Sequence, residues 1–100
     1  MTAFAISQAE ILDENLAARY RVLARASVSQ HSGRYIINGT PAAAEGTWDA
    51  RQRLIVIEFE TMQHLRDWYT SPGYAAAKQV ASRALSRQLL FINGLDDHEY

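Results

Sequence analysis

Arg53-Leu54-Ile55-Val56-Ile57-Glu58-Phe59-Glu60 is the strongest strand signal in the chain. Side chains alternate along a strand, so Leu54 and Val56 point to one side and Ile55, Ile57 and Phe59 to the other. A strand apolar on both faces belongs at the centre of a sheet, covered from both sides. Downstream of it, Thr61 has the chemistry of a helix N-cap for a segment running through Met62, Leu65, Trp68 and Tyr69. Ser71-Pro72 then reads as a second cap with proline at the first helical position, and Tyr74, Ala77, Ala81 and Leu85 share one face of the helix it opens. Proline disfavours helical geometry in the residue before it, which predicts two short helices meeting at a corner. Gln88 to Asn93 closes the chain as a further strand, with Leu89 and Phe91 on one face, Leu90 and Ile92 on the other, and Gly94 as its stop.

Upstream, Gly39 to Asp49 contains Pro41, an alanine run and Gly46 without a convincing period, and reads as a long connection. Gly33 to Asn38 is a strand in which strict alternation sets Tyr35 and Ile37 against Arg34, Ile36 and Asn38. Before it lies a helix capped by Asp13, with Glu14 near the positive end of its dipole. Leu16, Tyr20, Leu23 and Ser27 recur at helical spacing, Ala17, Ala24 and Val28 widen the stripe, and Arg19, Arg21 and Arg25 fall mostly outside it. Gly33 is expected to supply the positive φ at this helix's C-terminus. Ala3 to Ala9 is a first strand with Phe4 and Ile6 on one face and small residues on the other.

The order is β-α-β, β-α-β, the split βαβ or ferredoxin-like α+β fold: a four-stranded antiparallel sheet with the helical segments on one face. The other face would then be bare, although the central and last strands are apolar on both sides. Soluble monomers rarely expose a patch of that kind. The chain is therefore expected to form a homodimer through the open sheet face, the two sheets pairing as an α/β barrel.

Composition limits the function classes. With 100 residues the chain can bury roughly two thirds of its unfolded surface, enough for one domain, taken as 1–95, followed by an acidic tail, 96–100. Ten Lys+Arg against eleven Asp+Glu give a net charge of −1, which offers no bias towards nucleic acid or anionic lipid. The absence of cysteine excludes thiol catalysis, disulfides and thiolate metal sites. The N-terminus lacks a cationic region leading into a long apolar stretch, and the longest apolar run, Leu54 to Ile57, is far short of a membrane span. A soluble cytoplasmic protein without membrane or nucleic-acid partners is expected.

Gly33-Arg34-Tyr35, Glu45-Gly46, Ile55-Val56-Ile57-Glu58-Phe59, Trp68-Tyr69-Thr70-Ser71-Pro72-Gly73-Tyr74 and Phe91-Ile92-Asn93-Gly94 together resemble the family designated domain of unknown function 1330 (DUF1330), in the dimeric α+β barrel superfamily. The most specific part is the Trp-Tyr-x-Ser-Pro-x-Tyr run at its distance from the Val-Ile-Glu-Phe strand. The resemblance implies a dimeric ferredoxin-like fold and no established reaction. The chain departs from the family pattern at Glu60-Thr61, where members often carry Phe-Pro. It departs again at Ala81, near which many have an arginine, and Lys78 and Arg83 are the basic residues closest by.

Arg34 and Glu58 are charges within expected strands, where a charge is costly unless paired or hydrogen-bonded. Two readings are open. In one they line a cleft, Arg34 orienting a substrate and Glu58 acting as acid or base; in the other they form a cross-strand ion pair. Trp68, Tyr69 and Tyr74 are the candidate walls of a small-molecule pocket or, equally, helix-to-sheet packing. His64, on the first turns of the second helix, is the candidate proton carrier. His31, His64 and His98 do not have metal-ligand spacing, and nothing marks an axial histidine for the haem known elsewhere in the superfamily. No phosphate-binding glycine loop or nucleophile elbow is present, so a cofactor-independent enzyme or ligand-binding protein acting on a small organic molecule in a helix-sheet cleft is expected. A non-catalytic homodimeric interaction module is the alternative.

Overall fold

A computed structural model describes residues 1–95; the acidic tail 96–100 lies outside the described residues. Seven elements follow in order: β1 (Ala3–Ile11), α1 (Glu14–Gln30), β2 (Arg34–Gly39), β3 (Gln52–Phe59), α2 (Met62–Tyr69), α3 (Pro72–Ala84) and β4 (Leu85–Asn93). The strands form one antiparallel sheet in the order β2-β3-β1-β4. The fold is therefore the ferredoxin-like βαββαβ arrangement, with the second helical segment broken into two. The Cα trace measures 44 × 39 × 16 Å, the thickness of one sheet and one helical layer.

The caps act as their side chains dictate. Asp13 Oδ1 accepts from the Leu16 amide, Thr61 Oγ1 from the His64 amide and Ser71 Oγ from the Tyr74 amide. The corner between α2 and α3 lies at Ser71-Pro72, with Pro72 the first helical residue. At the end of α1 the amide of Ser32 bonds the Ser29 carbonyl and the amide of Gly33 bonds the Val28 carbonyl, a Schellman pair. The left-handed residue there is Ser32, at φ 57°, rather than Gly33. Gly33 is required for space: a Cβ on it would stand 2.6 Å from Phe59 Cε1 and 2.9 Å from Val28 Cγ1.

The helix-facing side of β1 carries Ala3, Ala5, Ser7 and Ala9, all buried. At one end of this column, Phe59, Leu65, Trp68, Tyr74 and Val28 fill the space over Ala3 and Ala5. The Trp68 ring lies 4.3 Å from Tyr74 and 5.3 Å from Phe59 between centroids. Its Nε1–H donates to Ser27 Oγ, whose own hydroxyl donates to the Ala24 carbonyl, so the polar atoms in this core are satisfied.

Two local expectations are corrected. A bulge between Tyr35 and Ile37 breaks the alternation of β2. Tyr35 and Asn38 consequently align with the helix-facing Ile57 and Ile55, while Ile37 aligns with Val56 on the open face. The strand β4 begins at Leu85, directly from the last residue of α3, because the amides of Leu12 and Asp13 bond the Ala84 carbonyl and draw the chain into the sheet. Leu85 thus belongs to β4 and not to the helix face. On the open face Ile37, Val56, Ile6 and Leu90 form one cross-strand row, flanked by Phe4 and Ile92. Ile37, Leu90 and Ile92 are 48%, 52% and 53% exposed, so the bare apolar face anticipated from strand patterning is present on the single chain.

Gly33→Ala is expected to lower stability by about 1–3 kcal/mol through overpacking against Phe59 and Val28, read as a lower denaturant midpoint. An unchanged midpoint would show that the Phe59 ring yields freely.

Candidate functional site

Past Ala5 the column of small side chains on β1 continues as Ser7 and Ala9, and there a cleft of about 370 Å³ opens between α1 and the sheet. That size falls in the range of small-molecule sites. Its floor is built from cross-strand rows. Ile55 of β3 and Leu89 of β4 flank Ser7, and in the next row Arg53 and Arg87 flank Ala9. The wall opposite is α1, presenting Ala17, Tyr20, Arg21 and Arg25, with Glu14 at its start as the sole carboxylate of the lining. Tyr35 and Asn38 close the β2 side, and Trp68 closes the inner end.

Arg87 is the best-anchored polar group. It donates through one terminal nitrogen to Tyr20 Oη at 2.7 Å and through the other to Tyr74 Oη, and the two phenol oxygens are 3.3 Å apart. A half-buried strand residue is thereby tied to α1 and α3 at once. Burial works against the charge of Arg87, and the Tyr20 and Tyr74 oxygens more than offset it, leaving its pKa raised. Burial pushes the Tyr74 hydroxyl well above the ordinary tyrosine range, reinforced by Tyr20 and opposed by Arg87. Tyr35 is also raised, by burial first and by Tyr74 next, against the pull of Arg25 and Arg87. Both phenols are therefore neutral hydroxyls at physiological pH, able to donate a hydrogen bond but not to act as bases. Across the floor, Arg53 donates from Nε and a terminal nitrogen to Asn38 Oδ1, at 3.3 and 2.9 Å.

The residues singled out from sequence fall into four places. Trp68 lines the cleft's inner end. Tyr74 stands behind the cleft and positions Arg87 through its hydroxyl, while Tyr69 packs edge-on to Phe91 with Lys78 Nζ 4.2 Å above its ring. Arg34 and Glu58 are cross-strand partners on the open face, joined by Arg34 Nε to Glu58 Oε1 at 2.7 Å, and neither lines the cleft. His64 is exposed at the start of α2, its Nδ1 3.0 Å from Thr61 Oγ1, also away from the cleft. Of these residues, besides the Arg34–Glu58 pair, only the aromatic group Trp68, Tyr69 and Tyr74 comes together. Arg87, Tyr20, Tyr35, Arg25 and Arg53 line the cleft without having been singled out from sequence as site residues. The signal for Arg87 lay in the alternation Leu85, Arg87, Leu89, Phe91, which places it on the helix side once the strand is started at Leu85; Arg21 and Arg25 stood at i, i+4 on one helix face. Among the described residues no group of three or more His, Asp or Glu side chains is placed to hold a metal, and no helix is long and apolar enough to cross a membrane.

The family model for the domain of unknown function DUF1330 matches residues 2–95, and the chain belongs to that family. No curated protein matches the sequence. Similar solved structures include a protein of unknown function from Rhodopseudomonas palustris, 11% identical at a TM-score of 0.73, covering 95% of this chain and 83% of the other. SnoaB, a cofactor-independent oxygenase from Streptomyces nogalater, is 5% identical at a TM-score of 0.69, with 95% and 94% covered. A dimeric protein of unknown function and ferredoxin-like fold from Bacteroides fragilis is 17% identical at a TM-score of 0.63, with 93% and 96% covered. At these identities the likeness is one of fold.

Because a raised pKa means that folding favours the protonated phenol, Tyr74 contributes stability that is complete below pH about 10, where an unfolded tyrosine titrates, and is lost as pH rises beyond it. Denaturant midpoints measured from pH 8 to 12 are expected to fall more steeply for the native chain than for Tyr74→Phe. Parallel curves would show that the phenol is not shielded.

Proposed function

We propose that this chain binds a small organic molecule in the cleft between α1 and the sheet and acts on it without a cofactor. The observation that carries the reading is the cleft itself: apolar walls from Ala17, Ile55, Leu89 and Trp68, with the polar groups Arg87, Tyr35 and Arg53 set among them. Walls of this kind bury an apolar ligand body, and the polar groups fix its orientation. Arg87 and the protonated Tyr35 are the groups suited to stabilising negative charge that develops on a ligand oxygen. Glu14 is the carboxylate available to accept a proton. The cofactor-independent oxygenase of like fold supports this class of activity by analogy of fold alone. A cytoplasmic location belongs to the same reading, supported by the absence of cysteine.

The catalytic roles assigned from sequence to Glu58 and His64, and the orienting role assigned to Arg34, are not carried into this proposal, since none of the three side chains lines the cleft. Arg34 and Glu58 instead belong to the second part of the reading, a homodimer through the open sheet face. The exposed row of Ile37 and Leu90, with Ile92 beside it, supports that pairing, as does the dimeric neighbour.

Fragment screening by methyl and amide NMR is expected to yield ligands that shift Ile55, Ile57, Leu89 and the Trp68 indole, leaving Ile6, Leu90 and Ile92 unmoved. A screen in which every ligand perturbs only the open face, or in which nothing binds at millimolar concentration, overturns the cleft reading. For the dimer, light scattering is expected to report twice the chain mass for the native protein and the single chain mass for Leu90→Lys combined with Ile92→Asp. A native protein that remains monomeric at micromolar concentration ends that part of the reading.

A further inference from the structure

Arg53 and Arg87 occupy one cross-strand row on the helix-facing side, on either side of Ala9. Their backbones are separated by two inter-strand spacings, roughly 10 Å, and the residue between them is a methyl group. The wall above them carries Arg21 and Arg25, one helical turn apart. Four guanidinium groups therefore line this cleft against the single carboxylate of Glu14. None of the four has a carboxylate within ion-pair distance among the described residues.

That arrangement leaves an excess of positive charge along the cleft. Arg87 is half-buried, with Arg21, Arg25 and Arg53 exposed around it, and a half-buried arginine is ordinarily neutralised by a carboxylate because it has lost part of its water. Here the partners of Arg87 are the hydroxyls of Tyr20 and Tyr74, and the partner of Arg53 is the amide oxygen of Asn38. Neutral oxygens hold a guanidinium in place without cancelling its charge. Burial keeps Tyr74 and Tyr35 protonated, so neither phenol serves as the missing anion. Each arginine also retains free N–H donors after these bonds, because a guanidinium has five.

We infer that the ligand of this cleft is an organic anion, an apolar body bearing a carboxylate or similar oxyanion that seats over Ala9 between Arg53 and Arg87. The inference rests on the proposed cleft reading and adds the charge of the ligand to it. The apolar end lies against Ile55, Leu89 and Trp68, and the anionic end receives hydrogen bonds from two guanidinium groups already held in position by neutral partners. Charge-assisted bonds of this type are roughly twice as strong as neutral ones, and preorganised donors lose little freedom on binding. Arg21 and Arg25 add a positive field at the α1 wall that draws anions to the opening.

The test compares 2-naphthoate with 2-naphthylmethanol, which share an aromatic body and differ in charge, titrated into the full-length protein with the Trp68 indole and the arginine Nε signals followed by NMR. The naphthoate is expected to bind at least ten-fold more tightly than the alcohol. In Arg53→Gln, an exposed position outside the packed core, that ratio is expected to fall at least three-fold, the naphthoate losing more affinity than the alcohol; in Arg87→Met it is expected to approach unity. Equal affinities of the two probes for the native protein, both shifting cleft signals, overturn the inference and leave the cleft reading standing. A ratio insensitive to Arg53→Gln and to a folded Arg87→Met likewise overturns it. If neither probe shifts a cleft signal while both shift the open face, the cleft reading fails and the inference with it.

Discussion

The column of small side chains that β1 turns towards the helices, Ala3, Ala5, Ser7 and Ala9, governs the rest of the molecule. A central strand with so little volume on one face leaves a trough along the middle of the sheet. Interiors pack to near-crystalline density, so the trough must be filled or become a cavity. At one end Phe59, Trp68 and Tyr74 fill it, and their rings interlock over Ala3 and Ala5. At the other end Tyr20, Tyr35 and Arg87 border the trough without filling it, and the same trough is the cleft. Core and site are two ends of one packing problem, with Trp68 bordering both.

The charge within the cleft follows from where the trough ends. β4 carries Arg87 on the side that its apolar residues Leu85, Leu89 and Phe91 also face, and a guanidinium there must find oxygen partners. It finds them in Tyr20 and Tyr74, from α1 and α3. These bonds join elements distant in sequence, and they hold the guanidinium without discharging it. Arg87 is thereby both a structural tie and a held positive charge in the cleft.

The two faces of the sheet have divided these tasks. The helix face holds the core and the cleft, whereas the open face is a row of aliphatic side chains edged by the Arg34–Glu58 pair. With the Arg34 side chain largely exposed, the pair is worth little to the stability of a single chain.

The element order, the Asp13, Thr61 and Ser71 caps, the corner at Pro72 and the two-sided apolar character of β3 and β4 were legible in the sequence, because each depends on neighbours a few residues apart. The aromatic group Trp68, Tyr69 and Tyr74 was legible for the same reason. The polar site was not. A bulge in β2 moved Asn38 to the helix side, a strand that starts without a turn after α3 brought Arg87 inward, and the pairing of Arg34 with Glu58 placed both on the opposite face. Local periodicity determined which residues are helical, extended or apolar, since dihedral preference and side-chain alternation act over one turn or one pleat. Which charges meet across the cleft was decided by strand register and by the helix lying over it, and those are set by contacts between residues that the chain separates by tens of positions.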